Sequence, residues 1–530
     1  MSGSFSRSQR THKPGVTATS RGVVATQHVR AAEVGAEVLA AGGDAVDAAV
    51  AVSFAIGVLE PWMSGPMGGG AMMLWRADDA RAHALTYGMR SSATLDVNHY
   101  PLSGAGKASD LFPWEAVVED RNVTGAASVA VPGTVAGISA AHGRFGRMPW
   151  AELLAPAVGL ARAGLHVDWY AALVIASCAR DLSRDPDAAA LFLDDGQWPK
   201  GSGWTALADQ RLNQGRMADT LDQLAREGEA AFYKGAIAEA LVRDVTDKGG
   251  FLSMQDMRDY APLWADPLAI PFRDATIHAV PGLTAGPTLA DTLGRWQSGY
   301  DAADAATPAA FVARADGLRA AYAERLATMG DHENDRAPGC TTHFSIVDRD
   351  GNMVAMTQTL LSIFGSKVVS QSTGLMLNNG IMWFDPEPGK PNSLAPGKAC
   401  LMNVCPVIGE TPTRRFALGA SGGRKIMPAV AQISGRLIEQ GLSMQDAIEA
   451  PRIDASGGAQ VVADERLAGA VTDALAARFP LAQAQRLPFP FAFACPAGVM
   501  REGGTNSGTT ETMSPWGDGV AEPESTKARE

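Results

Sequence analysis

The twenty residues TTHFSIVDRDGNMVAMTQTL, Thr341 to Leu360, leave the backbone few choices. Phe344 and Ile346 alternate with Thr341, His343 and Ser345, so the first stretch reads as a strand with one apolar and one polar face. DRDGN follows, with Asp350-Gly351 as the hairpin signal, and MVAMTQTL is the returning strand. A turn centred near Asp350 sets Thr341 opposite Thr359 or within one position of it. Paired threonines across a hairpin are often no more than a stable cross-strand pair. The preceding segment, GDHENDRAPGC, is polar and carries glycine and proline, which predicts an exposed loop ending at Cys340. A cut between Cys340 and Thr341 would make Thr341 an N-terminal residue. Its own α-amine, with a pKa of about 7.7–8.0, could then serve as general base for its hydroxyl.

The rest of the chain supplies a large mixed α/β protein for this hairpin to sit in. Of 530 residues, 46% are hydrophobic and 19% charged, enough for a sizeable core in two or more domains or one large α/β fold. The formal net charge is −12 and no Lys/Arg-rich block occurs, which argues against nucleic acid as a partner. Apolar runs such as AVDAAVAVSFAIGVL are Ala-rich and too short to span a bilayer, so no membrane partner is expected. The first residues show no secretory signal, and the five cysteines share no CxxC spacing. A cytoplasmic protein with reduced thiols is the expectation. HExxH is absent and DHEND lacks ligand spacing, so no metal and no cofactor are expected.

Residues 31–41 read as a helix stopped by Gly42-Gly43, and Asp44 caps a second one to about Gly57. SGPMGGGAMMLWRADD reads as a glycine turn into a buried strand, and residues 135–326 as amphipathic helices joined by short loops. RRFALGASGG is a strand entering a glycine turn, with a helix from about Met427. N–H groups at Gly422 and Gly423 can converge there on a developing oxyanion. The same residues spell G-x-S-x-G, the nucleophile elbow of serine hydrolases. That elbow needs an acid and then a histidine further along, and all nine histidines precede Ser421. The serine reading fails.

TTHFSIVDRDGNMVAMTQTL followed by TGLMLNNGIMWFDP resembles the start of the small subunit in the γ-glutamyltranspeptidase family of N-terminal-nucleophile hydrolases. GGDAVDAAVAVSFAIGVLEP, GGGAMML and LGASGGRKI match the same family in the same order. The resemblance implies a four-layer αββα sandwich formed jointly by two subunits of one self-cleaving precursor, 1–340 and 341–530. It implies Thr341 as nucleophile, Thr359 as the threonine that hydrogen-bonds it, and Gly422 and Gly423 as the oxyanion hole. The groups that would grip a γ-glutamyl substrate differ. The clamp arginine falls on Gly88, with Arg90 two residues on. The clamp asparagine falls on Leu361, the aspartate on Trp383 with Asp385 beyond it, and the serine pair on Met402-Asn403. GIMWFDPEPGKPNS and EPWMSG look like the branch that includes oxamate amidohydrolase and related acylases. The expectation is an amidohydrolase for a small, carboxylate-bearing amide such as oxamate, with Arg90, Asn403 and Arg424 as substrate-binding candidates and Lys425 as a further anion partner. A γ-glutamyl hydrolase or transferase with a rearranged clamp is the alternative.

Overall fold

A computed structural model describes residues 13–107, 114–201, 210–329, 340–456 and 458–524. Its centre is a pair of seven-stranded sheets, antiparallel throughout. With strands numbered along the chain, the first sheet runs β5 (Leu263–Ala265), β4 (Arg81–Tyr87), β3 (Gly69–Arg76), β9 (Met353–Leu361), β8 (Cys340–Val347), β2 (Val23–Thr26) and β14 (Asp518–Ala521). The second runs β1 (Val16–Thr19), β13 (Thr505–Thr510), β12 (Cys495–Glu502), β11 (Arg414–Ser421), β10 (Val407–Glu410), β7 (Ala275–Ala279) and β6 (Leu268–Phe272). Each sheet therefore mixes strands from before and after residue 340.

Three apolar layers hold four layers of structure together, the αββα order expected. Between the sheets lie Ala25, Met73, Trp75 and Ala355 from one side and Ile408, Ala417, Ala497 and Val499 from the other. Outside the first sheet, Phe344, Ile346, Val354 and Met356 meet helices α1 (Val29–Ala40) and α2 (Ala45–Leu59). Outside the second sheet, Ile277, Phe416 and Leu418 meet α3 (Gly286–Gly299), α4 (Pro308–Met329) and α5 (Ile426–Glu439). The period-2 alternation of each strand delivers one face to each layer. No helix among the described residues is long and apolar enough to cross a membrane.

Local signals set the elements that carry the hairpin. Asp44 caps α2 by accepting from the N–H groups of Val46 and Asp47, and Gly42, at φ +100°, ends α1. The 348–352 turn is tied to α2, because the Asp348 carboxylate accepts from Ala45 N, Asp350 N and Asn352 N. Gly70 permits β3 to lie against β9: a Cβ there would meet Thr357 O at 2.1 Å. The helical reading of residues 135–326 misses β5, β6 and β7, which lie inside it. They are short, and β6 carries Pro271, tolerated because β6 is an edge strand. The loop expected to expose the 340/341 bond, 330–339, lies outside the described residues.

Candidate active site

Thr341 sits at an irregularity in the hairpin. Cys340 pairs with Leu361 and Thr342 with Gln358, so Thr341 alone faces two residues, Thr359 and Leu360. This is a β-bulge, a device that re-aims side chains beside active sites. Leu361 takes φ +89°, rare for a branched side chain, and its N–H donates to Thr359 Oγ1 at 2.8 Å. That bond occupies an acceptor site of the Thr359 hydroxyl and leaves its proton to be donated elsewhere. The strain and the bulge coincide at the two threonines the sequence singles out.

Thr341, only 5% exposed, lines a cavity of ≈ 40 Å³ at the end of the sandwich. Gly422 and Lys425 line it too, and Met63, Val174, Ile363 and three phenylalanines, Phe489, Phe491 and Phe493, make an apolar wall. Gly422 has φ +129° and Gly423 φ +59°, and α5 starts three residues after Gly423. Among the described residues, neither glycine N–H donates to a carbonyl in a turn or loop bond. Two backbone donors beside a helix N-terminus, next to a hydroxyl, can stabilise an oxyanion. A side chain at Gly422 is excluded twice over, by its φ and by Ala494 Cα, 3.0 Å from a Cβ built there.

His343 and Ser421 have other work. Burial pushes the His343 imidazole down to about 3, and its nitrogens bond Thr357 Oγ1 at 2.8 Å and Ser345 Oγ at 3.0 Å. Ser421 Oγ accepts from Gln27 Nε2 at 2.5 Å. Among the described residues no histidine bonds Ser421, in keeping with rejection of the serine elbow. Among the described residues no three His, Cys, Asp or Glu side chains are grouped as a metal site.

The sequence profile of γ-glutamyltranspeptidase matches residues 31–339 and 334–512. The chain belongs to the γ-glutamyltranspeptidase family. An acylase ACY 1 proenzyme of Pseudomonas sp. (strain V22) is 34% identical over 501 residues, 87% of each chain. A glutathione hydrolase proenzyme of Pseudomonas aeruginosa is 30% identical over 484 residues, 82% of each chain. The crystal structure of cephalosporin acylase from Bacillus halodurans matches with a TM-score of 0.78 at 25% identity, over 98% of this chain and 99% of that one. This family member is thus an amidohydrolase with the N-terminal-nucleophile fold.

The residues expected at the clamp positions pack against one another. Met402 Cε lies 2.9 Å from where a Gly88 Cβ would stand, so a long side chain at 88 would collide with Met402. The two replacements fit each other. Arg90 does not take over: backbone bridges to Val131 and Ala399 hold it over the Tyr260 ring, in a second cavity of ≈ 330 Å³ that Thr341 does not line. Arg424 also stands outside the Thr341 cavity, and its carbonyl accepts from the Tyr322 hydroxyl. Asn403 is buried outside that cavity, its Oδ1 accepting from Arg325 Nη2 at 3.3 Å while its Nδ2 has no partner among the described residues. Asp385 is engaged by the Glu387 N–H at 2.9 Å. Among the described residues, Lys425 is the cation that shares the cavity with Thr341, and its Nζ donates to Ala492 O at 2.8 Å. Sequence reasoning missed the phenylalanine wall, although the alternation in PFPFAFACP was a readable signal.

Proposed function

We propose that this protein is a self-processing threonine amidohydrolase that cleaves small amides bearing a short, carboxylate-carrying acyl group, oxamate being the model. One observation carries the reading: Thr341, Gly422 and Lys425 share a cavity of only ≈ 40 Å³. That is room for about three water-sized groups beside the nucleophile, which supports a short acyl group. Maturation begins when Thr341 Oγ attacks the Cys340 carbonyl. The Cys340–Thr341 C–N bond breaks, an ester forms, and the freed α-amine takes a proton. Water then opens the ester, leaving chains 1–340 and 341–530 associated through their shared sheets. In turnover the α-amine removes the Thr341 hydroxyl proton as Oγ attacks the substrate carbonyl. The Gly422 and Gly423 N–H groups receive the oxyanion, the amine returns the proton to the leaving nitrogen, and water hydrolyses the acyl-threonine ester.

Processed protein should turn over oxamate with a kcat/KM at least about tenfold above that for glutathione, which needs only about 1.4 kcal/mol of transition-state preference. Ammonia release from oxamate and glutamine, and cleavage of glutathione and a γ-glutamyl anilide, would be measured side by side. Efficient glutathione turnover with oxamate inert would sink this choice of substrate.

Lys425→Ala should raise KM for oxamate about tenfold with a smaller effect on kcat, because an ion pair to the carboxylate is made alike in ground and transition state. An unchanged KM would remove Lys425 from substrate binding. Thr359→Ala should do the reverse, lowering kcat about tenfold while KM stays within about threefold, since the Thr359 hydroxyl supports the nucleophile and does not bind substrate. Full kcat in that variant would leave Thr359 a structural residue.

A further inference from the structure

Behind Thr341, on the helix side of its sheet, a polar cluster is buried in an otherwise apolar layer. Ser53 on α2 and Glu60 just beyond its end are seven residues apart, two helical turns, and so face the same way. Ser53 Oγ donates to Gln358 Oε1, and Gln358 Nε2 donates to Ser64 Oγ at 3.0 Å. Thr342 Oγ1 donates to Glu60 Oε2 at 3.0 Å. Thr342 and Gln358 are direct cross-strand partners, so the cluster spans the first regular rung of the hairpin after the bulge. A buried carboxyl is expensive without a cation, and Glu60 makes no ion pair among the described residues. Burial pushes its pKa up to about 8, only partly offset by the Thr342 bond.

We propose that Glu60 is a positioning residue for the nucleophile: by accepting the Thr342 hydroxyl it anchors the strand end that carries Thr341. This rests on the self-cleavage read above. The uncut chain holds Thr341 from both sides, by the Cys340–Leu361 rung and by the Thr342–Gln358 rung. Cleavage at 340/341 takes the first rung away with the other subunit. Thr341, set in a bulge, is then a chain terminus one residue beyond the last regular rung. Termini fray unless tied down, and a misplacement of about 1 Å can cost on the order of 10²-fold in rate. Among the described residues, the Thr342–Glu60 bond is the side-chain tie made by Thr342's own strand at that rung, placed at the end of α2 and independent of the severed segment.

The test compares Glu60→Ala, Glu60→Gln, Thr342→Val and the double variant Glu60→Ala/Thr342→Val, with cleavage followed by intact mass and turnover measured on fully processed protein. Glu60→Ala and Thr342→Val should each lower kcat at least tenfold with KM within twofold. Glu60→Gln, whose amide oxygen still accepts from Thr342, should stay within about threefold of the wild type. The double variant should fall no more than twofold below the worse single one, because both remove the same bond. If Glu60→Ala does not accumulate, Thr342→Val, of similar shape to threonine, carries the same expectation. A processed Thr342→Val enzyme with wild-type kcat overturns the proposal, as does Glu60→Gln falling as far as Glu60→Ala. Wild-type protein that stays a single chain overturns the self-cleavage reading and this inference with it.

Discussion

Thr341→Ala should remain one uncut chain and lose turnover by a factor on the order of 10³ or more. The hydroxyl is asked to act twice, first on the Cys340 carbonyl and then on substrate, so one substitution removes both steps. Folding should survive, because Ala fits where a small buried residue already stands and the ladder from Thr342 onward is untouched. Thr341→Ser keeps a hydroxyl and should cut slowly. Intact-mass analysis separates the outcomes directly: two co-purifying chains in the wild type, one in the alanine variant. An alanine variant that is fully processed would falsify the mechanism, since no hydroxyl at 341 could have formed the ester.

The largest effect on stability is expected at Glu511, on the far side of the glycine turn. Its carboxylate accepts from Arg452 Nη2 at 2.7 Å and Arg486 Nη1 at 3.3 Å, and the Arg452 side chain is fully buried. Glu511→Ala leaves two guanidinium groups without this partner, a change that typically destabilises by about 3–5 kcal/mol. Arg452 also donates to Ala494 O at 3.2 Å, and Ala494 is the residue packed on Gly422, so the oxyanion turn should loosen as well. Urea unfolding of the single-chain Thr341→Ala background gives the comparison, with Glu511→Gln expected to fall between. A midpoint unchanged in Glu511→Ala would refute the assignment. The pH dependence follows from the charge. Burial works to raise the Glu511 pKa, but the Arg486 and Arg452 guanidinium groups outweigh it and hold it below the ordinary carboxylate value. A depressed folded-state pKa contributes stability that is present above the unfolded-state value of about 4.3 and is lost as pH falls through the folded one. Acidification should therefore narrow the gap between wild type and Glu511→Gln.

What could be read from the sequence was whatever local chemistry decides. The Asp350-Gly351 turn, the Asp44 cap, the Gly42 stop and the glycine turn at 422–423 each depend on a few neighbouring residues, and each is where it was expected. The facing of Thr341 and Thr359 follows from counting outward from the turn, although the bulge that puts Leu360 opposite as well did not. Contacts between distant segments were not readable. The phenylalanine wall reaches Thr341 from about 150 residues downstream, and Lys425, not Arg90, is beside it because backbone bridges draw Arg90 into another cavity. Glu60 was read only as part of the EPWMSG stretch and given no role, since a lone acid after an apolar helix looks like an ordinary helix end.

The mixing of strands within each sheet fixes a sequence of events. In the first sheet β9 and β8 lie between β3 and β2, and in the second β13 to β10 lie between β1 and β7. Neither product of the proposed cut owns a whole sheet: each sheet has strands of one product flanked by strands of the other. On the proposed mechanism the bond would be broken only after these strands have interleaved, since that is what brings Thr341 and the Gly422 turn to one cavity. Scission thus acts as a receipt for correct assembly, issued by the assembled protein itself. It is also a one-way step: strands that found their neighbours as parts of one chain would, after unfolding, have to find them again as two molecules, at a rate set by dilution.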